Sequence, residues 1–173
     1  MIKYFRAAVP FKLLLNPIHL LSFGFGSGLS PFASGTFGTL AAIPFYYYMQ
    51  SLPITYYLLM VALTFALGVY ICDVTSKALG VHDHGAIVWD EFVGYFITMI
   101  ALPSGWTYII VGFFMFRVFD VFKPWPINIL DEKVSGGFGI MIDDVLAGVY
   151  ALVCMQILVY FGFFEKINSI GLF

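Results

Sequence analysis

Charge is what this chain has least of. Eight basic and ten acidic residues among 173 make it 10% charged, against about a quarter in an ordinary soluble domain. With 61% hydrophobic and 20% aromatic residues, so few charges cannot cover the surface of a soluble fold of this size. A net charge of −2 excludes the basic field that nucleic-acid binding requires. There are only two cysteines, Cys72 and Cys154, both in apolar runs, which excludes a disulfide framework or a cysteine-rich zinc site. Internal repeats, a low-complexity tail and the uniform apolar core of a signal peptide are also missing. The remaining reading is one membrane-embedded domain over residues 1–173.

Its apolar runs have the lengths that a bilayer demands. Pro53–Cys72 and Val145–Phe164 are each twenty residues without a charge, matching the hydrocarbon thickness at 1.5 Å rise per residue. Phe92–Phe116 is uncharged but broken by Pro103-Ser104-Gly105, so it reads as two shorter helices joined by a turn. Phe37–Met49 is a further short run interrupted by Pro44. The expected fold is an all-α integral membrane helical bundle with four to five spanning or half-spanning helices, near 37–50, 53–72, 88–102, 106–119 and 145–164. Residues 22–39 carry five glycines and read as a re-entrant or interfacial loop. Lys3, Arg6 and Lys12 alternate with apolar residues over 1–17, as in a basic amphipathic flank on an anionic membrane surface or a plain charged flank to the first span. Five spans put Lys3, Arg6, Lys12, Lys77, Arg117, Lys123 and Lys133 on one side and Lys166 on the other, which makes the first side cytoplasmic.

The acidic residues are unevenly placed. Nine of the ten fall between Asp73 and Asp144, and two short runs end in carboxylate pairs, Asp90-Glu91 and Asp143-Asp144, each followed by an apolar stretch. Carboxylates beside hydrocarbon are costly unless they hold a cation or share a proton. Hard divalent cations such as Mg²⁺ take carboxylate oxygens and often complete their shell with a substrate phosphate. Asp90, Glu91, Asp143 and Asp144 are therefore the candidate metal ligands; acidic complementation of helix N-termini is the competing reading. His84, beside Asp83, has the chemistry of a general acid or base near neutral pH, although a polar interfacial loop also explains His82 and His84. No HExxH or Cys/His zinc spacing is present.

Arg117, Asp120 and Lys123 recur at i, i+3 and i+6, close to one helical face. Arg117 offers a phosphate a bidentate fork and Lys123 a point charge, with Asp120 able to orient either one or join a metal shell. For Lys123, anchoring at the membrane surface is an equal explanation. In the glycine-rich segment, Ser27 and Thr36 are candidate phosphate contacts, yet the segment is neither a P-loop nor a strand–GxGxxG–helix unit, and turn chemistry explains its glycines as well. Ala78 and Tyr160 stand six residues after the two cysteines, where a cysteinyl-phosphate loop needs Arg. DxDxT and Ser-Gly-His signatures are absent too.

In order, the stretches GFGSGLSPFASGTFGTLAAIPF, GVHDHGAIVWDEFVG, FRVFDVFKPWPI and GGFGIMIDDVLAGV resemble the phosphatidylglycerophosphatase A family over most of residues 20–150. Ser34 stands where the family pattern has proline. The resemblance implies hydrolysis of phosphatidylglycerophosphate to phosphatidylglycerol and phosphate with Mg²⁺, at the cytoplasmic face of a bacterial inner membrane. It also implies active-site carboxylates at Asp83, Asp90, Glu91, Asp120, Asp143 and Asp144. The individual roles are read from the residues and not from the resemblance: Asp83, His84, Asp90 and Asp120 are the candidate catalytic residues, and Arg117, Lys123, Ser27 and Thr36 the candidate phosphate contacts. Direct attack by Asp83 or Asp90 stays open beside attack by water. A membrane cation transporter or channel is the rival class, disfavoured by acids confined to one face and by the lack of an inverted repeat. A phosphatase or phosphotransferase for another lipid phosphate, such as phosphatidic acid, is the third reading.

Overall fold

The computed structural model describes residues 9–82, 84–129 and 134–169. Among these the chain is helical, with no strand. Among the described residues eight α-helices of four residues or more follow one another, α1 (Phe11–Leu14), α2 (Pro17–Ser22), α3 (Ser34–Met49), α4 (Ile54–Leu79), α5 (Trp89–Thr98), α6 (Trp106–Phe122), α7 (Gly136–Tyr160) and α8 (Phe163–Ser169), and residues 127–129 are helical as well. A 3₁₀ segment, Gly24–Leu29, lies between α2 and α3 and takes positive φ at Phe25 and Gly26.

Local chemistry sets the boundaries. The Asn16 side chain accepts from the Ile18 N–H at 3.0 Å, and Pro17 fills the first helical position, where its missing N–H costs nothing. α4 starts after Pro53 and stops at Gly80 in the left-handed region, whose N–H returns to the carbonyls of Ser76 and Lys77. Gly105 precedes α6, and Lys123 ends it with φ of 40°.

α4 and α7 are the two helices long and apolar enough to cross a membrane. At 26 and 25 residues they measure about 39 and 38 Å, more than a hydrocarbon core of about 30 Å. Only 28% and 33% of their most apolar windows are buried, and α4 presents Tyr56, Leu59, Leu63 and Tyr70 outward. An outward apolar surface of that extent marks the chain for membrane association. α5 differs from the expected span at 88–102. It has ten residues, all buried, and measures about 15 Å, half the thickness of a hydrocarbon core. The glycine-rich segment is a 3₁₀ turn leading into α3, which starts at Ser34 rather than at Phe37. The first seventeen residues are described only from Val9 onward, so Lys3 and Arg6 lie outside the described residues.

α7 is the central helix and packs against α4, α5 and α6. Two glycines let α5 and α7 cross backbone to backbone: a Cβ on Gly148 would overlap the Gly94 carbonyl, and one on Gly94 would meet the Asp144 carbonyl. From that crossing α5 and α7 run parallel, and Gln156 Nε2 donates to the Ile100 carbonyl at 2.9 Å further along. α4 and α6 run the opposite way, so α3, α5 and α7 begin, and α4 and α6 end, at one end of the bundle. On the α2 side, buried His19 meets the Thr75 hydroxyl at 2.8 Å, and burial holds its pKa below the ordinary histidine value.

Candidate active site

Asp90 and Glu91 occupy the first turn of α5. The loop ahead of them is fixed from several directions. The Val88 N–H donates to the Ser22 carbonyl at 2.9 Å, the Ile87 N–H to the His84 carbonyl at 2.7 Å, and the Ser34 hydroxyl to the Gly85 carbonyl at 2.5 Å. Gly28 lies so close to the Ala86 carbonyl that a side chain would overlap it. The glycine-rich segment thus braces the loop that delivers Asp90 and Glu91, and Ser34 supplies a tether to it.

The second carboxylate pair comes from inside α7. The sequence places Asp143 and Asp144 at the start of a span near Val145, but the helix begins at Gly136, two turns earlier. Complementation of a helix N-terminus therefore does not account for this pair. Glu91 precedes Gly94 by one turn and Asp144 precedes Gly148 by one turn, so the glycine crossing brings the two carboxylates side by side. Asp90, Glu91 and Asp144 each offer an oxygen within 4.8 Å of the others. Asp90 and Glu91 are 9% exposed and Asp144 3%. Asp90 Oδ1 accepts from the Glu91 N–H at 3.1 Å, while Glu91 Oε2 and Asp144 Oδ2 are buried with no hydrogen-bond partner. Buried anionic oxygens left in that state need a cation or a proton. A purely carboxylate donor set suits a hard divalent ion, so the residues fit Mg²⁺.

The expected fourth ligand stands apart. Asp143 is turned about 100° along the helix from Asp144 and meets Lys123 Nζ at 2.6 Å. Lys123 reaches it because α6 has already ended, so it does not continue the face of Arg117 and Asp120. Arg117 Nη1 lies 2.5 Å from Asp120 Oδ2, 3.9 Å from Glu91 Oε1 and 3.5 Å from Thr39 Oγ1, and its Nε is buried without a partner. Asp120 and Asp90 come near Asp144 from α6 and α5, and Asp143 is its neighbour along α7. Five carboxylates thus surround two cations, an excess of negative charge that repels an anionic substrate until it is offset.

Gly35, in the first turn of α3, presses against Glu91 Oε1 and the Arg117 guanidinium, where a Cβ would overlap both. Ala33, the residue before α3, gives the helix no side-chain cap, and the helix starts at this point. Thr36 is half-buried in the same turn. Ser27 is turned elsewhere, its hydroxyl donating to the Gly24 carbonyl at 2.8 Å. His84 is buried, and its Nδ1 accepts from the Ala86 N–H at 3.2 Å, which leaves the proton of the neutral ring on Nε2. Asp83 lies outside the described residues. Gly35 and Thr39 are site residues the sequence did not single out, because no spacing rule links α3 to α6.

Residues 20–159 match the family model described as Phosphatidylglycerophosphatase A. The chain belongs to that family. As a phosphatidylglycerophosphatase A family member it is an enzyme, a phosphatase. It is 58% identical over 135 residues to the Escherichia coli (strain K12) phosphatidylglycerophosphatase A, covering 78% of each chain. The Haemophilus influenzae phosphatidylglycerophosphatase A is 52% identical over 149 residues, 85% of this chain and 91% of the relative. A Bacteroides thetaiotaomicron protein named putative phosphatidylinositol-3-phosphatase is 39% identical over 147 residues, 80% of this chain and 91% of its own. No solved structure matches.

Proposed function

We propose that this phosphatase hydrolyses phosphatidylglycerophosphate to phosphatidylglycerol and phosphate, using Mg²⁺ at the cytoplasmic face of a bacterial inner membrane. The observation that carries the reading is the convergence of Asp90, Glu91 and Asp144, with two partnerless buried oxygens, beside the Arg117 guanidinium. The substrate follows from the names of the two most identical relatives reported above. The membrane face follows from the basic residues at the end of the bundle that holds the site, Lys77, Arg117 and Lys123 among them. α3, α5 and α6 accompany the two long helices as shorter or half-spanning elements, and the glycine-rich segment lies at the interface. Asp90, Glu91 and Asp144 would hold Mg²⁺, which supplies charge neutralisation at the phosphoryl oxygens when bound.

The chain's own groups do the rest. Arg117 and the first turn of α3, at Gly35-Thr36, receive non-bridging oxygens, and Asp120 holds the guanidinium in place. Lys123 adds positive charge from the Asp143 side. Water adds to phosphorus, the bond to the glycerol oxygen breaks, and the proton lost by water is matched by the one that oxygen gains. His84 has its Nδ1 committed to Ala86, so it serves as a hydrogen-bond donor from Nε2 toward the leaving oxygen and not as the base.

Phosphate release from phosphatidylglycerophosphate, phosphatidic acid and phosphatidylinositol 3-phosphate, each with Mg²⁺ and with chelator, tests the proposal. Release from the first substrate only, abolished by chelator, is expected. Preference for another lipid would overturn the substrate, and chelator-resistant turnover would overturn the metal. The His84 role has its own test, because Gln imitates Nε2 and Asn imitates Nδ1. His84→Gln should keep turnover within about tenfold of wild type, whereas His84→Asn should lose about 10²-fold or more. Better activity in the Asn variant would make His84 a purely structural acceptor.

A further inference from the structure

Asp73 and His82 take no part in the chemistry above, yet both bind the start of the helix that carries Asp144. α7 receives no side-chain cap from Ser135, the residue that precedes it. Its first N–H groups are instead taken from outside the helix. The Gly136 N–H donates to His82 Nε2 at 2.7 Å, and the Gly137 N–H donates to Asp73 Oδ1 at 3.2 Å. The Cα of Gly137 also lies against the Val69 carbonyl, so close that any side chain would overlap it. The start of α7 is therefore seated on α4.

We infer that Asp73, assisted by His82, is a positioning residue for the phosphatase site, capping α7 in trans and so setting where Asp144 stands. Seven residues, about two turns and about 10 Å, separate Gly137 from Asp144, so they share a helical face. Met141 lies between them on that face and packs on Gly68 and Cys72 of α4, carrying the seating toward the site. His82 belongs to the loop that leads to Asp90 and Glu91. One locus thus joins the element delivering the first carboxylate pair to the element delivering the second. A partner that orients a ligand-bearing element governs metal affinity without touching the metal.

The competing explanation is a surface ion pair, because Asp73 Oδ2 also meets Lys77 Nζ at 2.6 Å. Lys77 is 74% exposed, and exposed i,i+4 pairs contribute little. The two explanations separate by substitution. The inference rests on the cation reading of the site, so binding of Mn²⁺, followed by its paramagnetic resonance without substrate, is measured beside Mg²⁺-dependent turnover. In the full-length protein in detergent, Asp73→Ala should weaken Mn²⁺ binding and raise the Mg²⁺ needed for half-maximal turnover by about 10- to 100-fold. Turnover at saturating Mg²⁺ should stay within a few-fold of wild type. Asp73→Asn keeps an oxygen for the Gly137 N–H and should restore the affinity, and Lys77→Met should leave it unchanged. His82→Ala, on the exposed loop, should weaken binding in the same direction and keeps the inference testable if Asp73→Ala does not fold.

Wild-type metal affinity in both Asp73→Ala and His82→Ala would overturn the inference. So would a loss in Lys77→Met equal to that in Asp73→Ala. If the wild-type protein bound no Mn²⁺, the cation reading itself would fall. Amide exchange at Gly136 and Gly137, unchanged by Asp73→Ala, would then overturn the cap separately.

Discussion

Asp144→Asn is expected to lower turnover by on the order of 10³-fold, about 4 kcal/mol of transition-state stabilisation. Asp143→Asn, one residue away, is expected to cost about 10- to 100-fold. The contrast follows from the helix. Asp144 points into the group formed with Asp90 and Glu91, where its Oδ2 is buried without a hydrogen-bond partner. Asp143 points to Lys123, so its loss disturbs a cation that orients the substrate and leaves the converging trio intact. Asn is nearly isosteric with Asp, so both variants should fold and insert as the wild type does. Phosphate release in mixed micelles, with circular dichroism as the check on helicity, gives the comparison. Equal losses in the two variants would mean that Asp143 belongs to the same cation shell. Unimpaired turnover in Asp144→Asn would remove the cation assignment altogether.

Much of this arrangement is legible in the sequence, for reasons that are local. Asp90 and Glu91 precede an apolar run and occupy the first turn of the helix that run forms. Pro103-Ser104-Gly105 divides α5 from α6 as its turn chemistry dictates. Arg117 follows a run of apolar residues, where a charge needs partners, and Asp120 is one turn away on the same helix. In each case the signal and its consequence lie within a few residues of one another.

What the sequence hides is set by packing between distant segments. Gly136, Gly137 and Gly139 argue locally against helix, yet α7 begins there, because small residues let its first turn seat on the α4 backbone at Val69. The separation of Asp143 from Asp144 depends on that start and on Lys123, which turns back at the end of α6. α5 looks like part of a long span by composition and is a ten-residue inner helix, since periodicity cannot tell lipid-facing from core-facing apolar residues. Gly35 and Thr39 reach Arg117 across 82 and 78 positions of sequence, a distance at which no motif gives notice.

Arg117→Lys should keep the charge and still lose about 10²- to 10³-fold in kcat/KM, the range seen when one fixed donor to a developing charge is removed. The guanidinium fills a gap between α3, α5 and its own helix: Nη1 meets Asp120, Glu91 and Thr39, and Gly35 gives up its side chain so that α3 can approach both terminal nitrogens. Lysine can satisfy Asp120, but as a point charge it offers no planar fork to a phosphate lying against the first turn of α3. Arg117→Ala leaves that gap with its walls intact, so added guanidinium should restore part of the activity, while added ammonium should not. Asp120→Asn tests the other half of the pairing and should cost less, because Glu91 and Thr39 still hold the guanidinium. If Arg117→Lys kept wild-type kcat/KM, positive charge alone would suffice at this position. The close fit of Gly35 against Glu91 and Arg117 would then serve packing, and the phosphate would have to be received from the Lys123 side.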